Sequence, residues 1–131
     1  MERKIINTEK SPKAIGPYSQ GIIVENFVFV SGQGAIDPAN NVYTPKSIEE
    51  ETDIAINNLK NILESVGSSL SNVVKTTVFL SNMDDFSKFN EVYGKYFQDK
   101  PPSRSCIEAS RLPKDFKVEI EAIALIGWSN Q

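Results

Sequence analysis

Histidine is absent from the 131-residue sequence, and cysteine occurs once, at Cys106. The first absence removes every nucleophile activated by an imidazole, every His-ligated zinc site and the imidazole acid/base pairs of many ribonucleases. The second removes internal disulfides, multi-thiolate metal sites and iron–sulfur clusters. Positive charge is not in excess either: 14 Lys and Arg face 17 Asp and Glu, a formal net charge of −3. The basic residues are scattered, without the basic face that phosphate neutralisation requires, so no nucleic-acid partner is expected. No apolar run approaches the ~20 residues of a membrane span, and MERKIINTEK mixes acids with bases where a secretory signal carries a charged tip and an apolar stretch. The mature chain is therefore expected to start here, with no membrane partner, in a reducing, cytoplasmic compartment. What remains for chemistry is carboxylates, Arg, Lys, Tyr, hydroxyls, one thiol and the backbone.

A chain of 14.6 kDa should bury about two-thirds of its extended surface, the regime of one self-sufficient domain. Residues 1–131 read as that domain, with no repeat and no linker. A short β-prone piece at Ile5–Thr8 precedes SPKAIGPYSQG, which its Pro and Gly keep irregular. Two β-rich runs, Gly21–Val24 and Phe27–Gly32, flank Glu25-Asn26, the length of a tight hairpin, and are predicted to pair antiparallel. Ile36–Pro45 reads as a loop. Ser47, with Glu50 three residues on, has the capping-box pattern, and Ile48, Ala55, Leu59, Ile62, Leu63 and Val66 form one helical stripe that Gly67 is placed to end. The acidic run Glu49–Glu51 suits the positive end of that helix. Val73–Ser81 reads as a strand. Asn82 is expected to cap a second helix with Phe86, Phe89, Tyr93, Tyr96 and Phe97 on its inner face, and two more strands, Ser103–Ala109 and Lys117–Ile126, follow a Pro-Pro stop.

The order β, hairpin, α, β, α, β, β predicts an α+β fold with two helices on one face of a sheet. In the last strand Phe116, Val118, Ile120, Ala122, Ala124 and Ile126 alternate onto one side, and Lys117, Glu119, Glu121, Ile123 and Leu125 onto the other. A face half charged and half apolar suits neither full solvation nor full burial, so a second subunit is expected against it, with the polar half lining a cavity.

Several polar groups stand out from their settings. Arg104, Cys106 and Glu108 share one side of a strand, and if that strand pairs with the last one, a guanidinium, a thiol and the carboxylates of Glu119 and Glu121 converge. A surface Arg–Glu pair explains the same spacing. Cys106 reads as a small buried hydrophobe sooner than as a nucleophile, since no imidazole is available to deprotonate it. Asn90 falls within the aromatic stripe of the second helix, where a buried amide needs partners; a bond bracing a nearby loop is favoured over ligand contact. Ser31-Gly32-Gln33-Gly34 puts small residues at a strand end, where the backbone meets either a ligand or a sharp turn. Tyr18 is a cavity wall or a packed aromatic.

Taken together, GPYSQG at 16–21, SGQ at 31–33, VVKTTVFLSNMDDF at 73–86, FNEVYGKYF at 89–97 and PPSRSCIEASRLPKDFKVEIEAIA at 101–124 resemble the RidA/YjgF family along nearly the whole chain, and RSC with RLPKD and VEIEA resembles its archetypal RidA subgroup. The resemblance implies a chorismate-mutase-like fold and homotrimers whose sheets face inward, with clefts between subunits. It implies hydrolysis of 2-imino acids such as 2-iminobutanoate and 2-iminopropanoate to 2-oxo acids and ammonia, with no cofactor and no metal. Residue by residue, Arg104 corresponds to the arginine that grips the substrate carboxylate and Glu119 to the carboxylate that handles water. Cys106 offers contacts to the substrate, and Tyr18, Ser31, Gly32 and Asn90 line or brace the cleft. Two other readings compete: a non-enzymatic trimer that binds a small carboxylate as a regulator or chaperone-like partner, and an endoribonuclease or translation inhibitor, which the acidic balance and missing His fit worst.

Overall fold

The computed structural model describes residues 1–127, so residues 128–131 of the span read as one domain lie outside the described residues. β1 (Arg3–Ile6), starting two residues earlier than its sequence suggests, pairs antiparallel with β2 (Gly21–Val24), and β2 with β3 (Phe27–Gln33). Glu25 takes φ 55° in the two-residue connection, the left-handed conformation such hairpins require. The irregular segment between β1 and β2 is held from within by Gln20, whose buried amide accepts from Thr8 N at 2.7 Å and donates to Thr8 O at 3.0 Å and Pro12 O at 2.9 Å. Ile36–Pro45 is more than a loop: Ile36–Asp37 (β4) and Val42–Tyr43 (β5) form a two-stranded antiparallel ribbon. Each rung is too short to leave a propensity signal, and side chains close the turn, Asp37 accepting from Ala39 N and Asn40 from Val42 N.

α1 (Ile48–Glu64) begins at the anticipated N-cap: Ser47 Oγ accepts from Glu50 N at 3.1 Å. The Glu50 carboxylate meets the Ser47 hydroxyl, which donates to Oε1 at 3.0 Å, where a full capping box would have the carboxylate accept from the Ser47 backbone N–H. Gly67, at φ 84°, ends the element. Ile56, Leu59, Ile62 and Leu63 are wholly buried against the sheet, each worth about 1.5–3 kcal/mol in apolar transfer. β6 (Val73–Leu80) leads to Asn82, which caps a single 3-10 turn at Met83–Asp85 by accepting from Asp84 N; the helix proper, α2 (Phe86–Tyr96), starts after it. Its aromatic stripe is core, with Phe89, Tyr93 and Phe97 buried and successive ring centroids 5.3 and 4.6 Å apart.

β7 (Ser103–Glu108) and β8 (Val118–Leu125) complete a six-stranded mixed sheet of order β1-β2-β3-β8-β6-β7. The pairing of the last two strands considered from the sequence does not occur, because β6 lies between them. β7 runs parallel to β6, as a strand reached through a helical crossover does, with Arg104 opposite Thr76 and Cys106 opposite Val78. β8 runs antiparallel to β6, with Glu119 opposite Phe79 and Glu121 opposite Thr77. Directly paired residues project to the same side of a sheet, and Thr76, Val78 and Leu80 are buried on the side that α1 and α2 cover. Arg104, Cys106 and Glu108 therefore lie on the helix side, and Glu119 and Glu121 on the open side.

The alternation read in β8 holds: Val118, Ile120, Ala122 and Ala124 are buried. On the open side Phe29 stands between Ile22 and Ile123, and Phe27 beside Leu125. Ile5, Phe27 and Phe29 are exposed there.

Candidate functional site

The first group of site residues forms around an irregularity in β3. Val30 opposes Ala122 and Gln33 opposes Ile120, so Ser31 and Gly32 together face Glu121. This two-against-one arrangement is a β-bulge, which bends the strand and re-aims its side chains. The bulge is tied to the GPYSQ segment, with Ser31 Oγ donating to Ser19 O at 2.6 Å and Ser31 N to Gln20 O at 3.0 Å. Between them opens a cleft of about 360 Å³ whose lining includes Tyr18, Ser31, Gly32, Phe116 and Glu119. Phe116 meets Tyr43 edge-on at 4.8 Å. Glu119 makes no hydrogen bond or ion pair with the described residues. Burial first, and the neighbouring Glu121 carboxylate second, push its carboxyl above the ordinary range, so it keeps its proton to higher pH.

The second group gathers under α2. Arg104 Nη1 donates to Asn90 Oδ1 at 2.8 Å, and its Cζ lies 4.8 Å from the Tyr93 ring centroid, 5.5 Å from that of Phe86 and 5.7 Å from that of Phe89. Three aromatic rings and one amide surround the guanidinium, leaving most of its five N–H donors uncommitted. Asn90 thus braces the arginine, where a loop contact was expected. Cys106 is a free, half-buried thiol packed on the core. Burial pushes its pKa up while Arg104 pulls it down, and the net shift is upward, so the thiol stays protonated at neutral pH and is a poor nucleophile.

The seven residues singled out from the sequence thus fall into two sets. Tyr18, Ser31, Gly32 and Glu119 share a cleft, Asn90, Arg104 and Cys106 share an aromatic seat, and β6 and the thickness of the sheet separate the sets.

Other contributors escaped the sequence reading. Glu51 is fully buried, not merely part of an acidic helix start. Its carboxylate accepts from Tyr43 OH at 2.8 Å, Lys46 N at 3.1 Å and Lys117 N at 3.1 Å, with Lys117 Nζ at 3.4 Å, so it anchors the chain entering β8 just before Glu119. Its position between Ile48 and Ala55 on the apolar stripe was the available signal. Lys13 and Lys114 also line the cleft. Lys114 and Asp115 sit consecutively at φ 54° and 62°, a conformation costing about 1–2 kcal/mol per non-glycine residue. The Arg111–Asp115 ion pair at 2.8 Å is exposed, and the Tyr43 hydroxyl, whose one proton goes to Glu51 at 2.8 Å, makes only the longer 3.3 Å approach to Asp115 O. Among the described residues no group of three Cys, Asp or Glu could hold a metal ion, and no helix is long and apolar enough to cross a membrane.

Fold and site together define a small α+β protein that presents a carboxylate-lined cleft on one side of its sheet and an arginine seat on the other. The family model described as Endoribonuclease L-PSP matches residues 8–126, and the chain belongs to this family, the RidA/YjgF family. It is 52% identical over 124 residues to a RutC family protein of Pyrococcus abyssi, covering 95% of this chain and 98% of that one. It is 46% identical over 125 residues to the 2-iminobutanoate/2-iminopropanoate deaminase of Bos taurus, covering 95% of this chain and 91% of the relative. The crystal structure of E. coli TdcF with bound serine is similar at a TM-score of 0.89 and 42% identity, over 93% of this chain and 98% of that one.

Proposed function

We propose that the protein hydrolyses 2-imino acids, 2-iminobutanoate and 2-iminopropanoate among them, to 2-oxo acids and ammonia, at a cleft that a second copy of the chain completes. The observation that carries the reading is the division of the site. Arg104 and Glu119 lie on opposite sides of one sheet and cannot meet on one substrate within a chain. A neighbouring copy placing its Arg104 seat over the Glu119 cleft would bring both to one molecule. The exposed Ile5, Phe27 and Phe29 of the open face give such an assembly an apolar contact, and a homotrimer is the assembly proposed, from a single domain spanning residues 1–131, in the cytoplasm.

The chemistry suits these groups. The free donors of Arg104 fit a carboxylate as a two-pronged fork, which fixes the imine carbon of the bound substrate. The substrate enters as the protonated imine, and water held by the Glu119 carboxylate adds its oxygen to the imine carbon while the carboxylate takes one water proton, giving a carbinolamine with a neutral amino group. Glu119 returns that proton to the amino nitrogen, then takes the hydroxyl proton as the C–N bond breaks; the departing ammonia collects this proton from the carboxyl and leaves as ammonium, with the 2-oxo acid left behind. A carboxyl whose proton affinity is raised by burial and by Glu121 suits both the taking and the returning of a proton. Orientation supplies the rest, with no metal, cofactor or covalent intermediate. Tyr18, Ser31 and Gly32 shape the cleft, Asn90 keeps Arg104 aimed, and Cys106 contributes contact and not attack. The serine bound by the E. coli relative and the deaminase name of the bovine one support an amino-acid-like ligand.

The test couples the protein to a threonine dehydratase acting on threonine and follows imine loss. Wild type should accelerate the loss, and Arg104→Ala should fall close to the rate in buffer. No acceleration by wild type would favour the carboxylate-binding regulator instead.

A further inference from the structure

We propose that Gly32 is a positioning residue for Glu119: the side-chain-free position in the β3 bulge is the seat that holds this carboxylate in the cleft. The catalytic consequence rests on the deaminase reading; the seat itself does not. A Cβ at Gly32 would lie 2.5 Å from Glu119 Oε2, 2.8 Å from Cδ and 2.9 Å from Cγ, so the end of the glutamate side chain lies flat on the Gly32 backbone. The backbone does not ask for glycine here, since the positive-φ glycines are Gly67 and Gly127 and Gly32 is not among them. The three atoms nearest to such a Cβ all belong to Glu119. Gly34 differs: a Cβ there would strike the Phe116 ring at 2.6 Å, a matter of core packing.

The seat matters because no hydrogen-bond donor among the described residues directs this carboxylate. Glu119 has no hydrogen-bond partner among the described residues, so its rotamer is set by the surface it lies on. Around it stand Glu121 on its own strand, uncharged Phe79 across on β6, the Ser31-Gly32 bulge on β3, and Lys13 and Lys114 in the loops of the same cleft. Lys75, farther along β6, is turned to Ser105. A methyl group at position 32 would push the carboxylate outward, into better solvation and away from the water it must hold. Its proton affinity would fall toward that of an ordinary glutamate.

The experiment compares Gly32→Ala, Glu119→Ala and the double variant in the full-length, assembled protein. Gly32→Ala should lower kcat about tenfold or more with little change in KM, because the contacts to the substrate carboxylate remain. Carbon-detected NMR titration should show the Glu119 carboxyl moving toward the usual glutamate range. In urea unfolding, the midpoint change made by Gly32→Ala should be less favourable in the wild-type background than in the Glu119→Ala background, because only in the former must a carboxylate move aside, whereas the unfolded-chain effect of the substitution is common to both. If the single variant does not fold but the double variant does, the seat is supported. An equal midpoint change in both backgrounds, loss of folding in both, or an unmoved Glu119 titration overturns it. The titration and the cycle need no turnover. A wild type inactive on imino acids that still shows the coupling overturns the deaminase reading and leaves the seat standing.

Discussion

The two halves of the site hold their charged groups by opposite means. Arg104 is fixed by what touches it: three aromatic rings within 5.7 Å and the Asn90 amide at 2.8 Å, on an edge strand packed under α2. Glu119 is fixed by what is left out: no hydrogen bond among the described residues, a missing side chain beneath it, and a cleft walled by loops and a bulge. On the proposed deaminase reading, the difference follows from the work each would do. A group that grips a carboxylate gains from rigid, directional support that favours its charge. A group that takes and returns a proton gains from having its charge unsupported, because donors aimed at Glu119 would lower its proton affinity, whereas burial and Glu121 raise it.

Breaking the rigid half should cost most. Arg104→Ala should lower kcat/KM for imine hydrolysis by about a thousandfold, and Arg104→Lys should recover little, since an ammonium has no fork. A wild-type rate in Arg104→Ala would remove the gripping role.

Breaking the loosely held half should cost kcat roughly a hundredfold in Glu119→Gln, yet it should not cost stability. Glu119 holds its proton to higher pH in the fold than in the unfolded chain. The native state therefore binds more protons through that window, and stability falls as pH rises from the ordinary glutamate range through the raised one. The Glu119→Gln variant, with no proton to lose there, escapes that fall. Urea midpoints at about pH 4 and about pH 7 should show the difference between variant and wild type growing in the variant's favour with pH; a variant that loses ground with pH would contradict the raised proton affinity.

Cys106→Ala sharpens the comparison from the arginine side. A protonated thiol that supplies only packing and contact predicts at most about a threefold loss, and an inactive but folded and assembled variant would make the thiol a participant. The smallest effect belongs to the cleft's rim. Replacing Lys13 and Lys114 together by Gln should reduce kcat/KM about two- to threefold at low ionic strength, with the gap closing at about 0.5 M salt as screening contracts. A salt-independent gap would point to direct contact with the substrate.

What the sequence disclosed was whatever has a local cause. Ser47 and Glu50 lie one helical turn apart, and the alternation of Val118, Ile120, Ala122 and Ala124 is written in consecutive residues, so cap and buried face were both legible. Strand order was not, because nothing within Ser103–Glu108 says that β6 intervenes before β8. The bond between Asn90 and Arg104 and the anchoring of Lys117 by Glu51 join segments far apart in the chain, so each was visible only as a polar residue in an apolar place. The site residues stood out as polar or small groups in unusual settings, and their roles came from motif resemblance. Their division between the two sides of the sheet needed the topology.

The most direct test of a divided site is complementation between two dead variants. Arg104→Ala and Glu119→Ala, each inactive alone, are unfolded together, refolded as a mixture and assayed for imine hydrolysis. If each site takes its arginine from one copy and its glutamate from the next, random assembly leaves about a quarter of the sites intact, and about a quarter of wild-type activity should return. A mixed, assembled protein as inactive as its parents would contradict a site shared between copies.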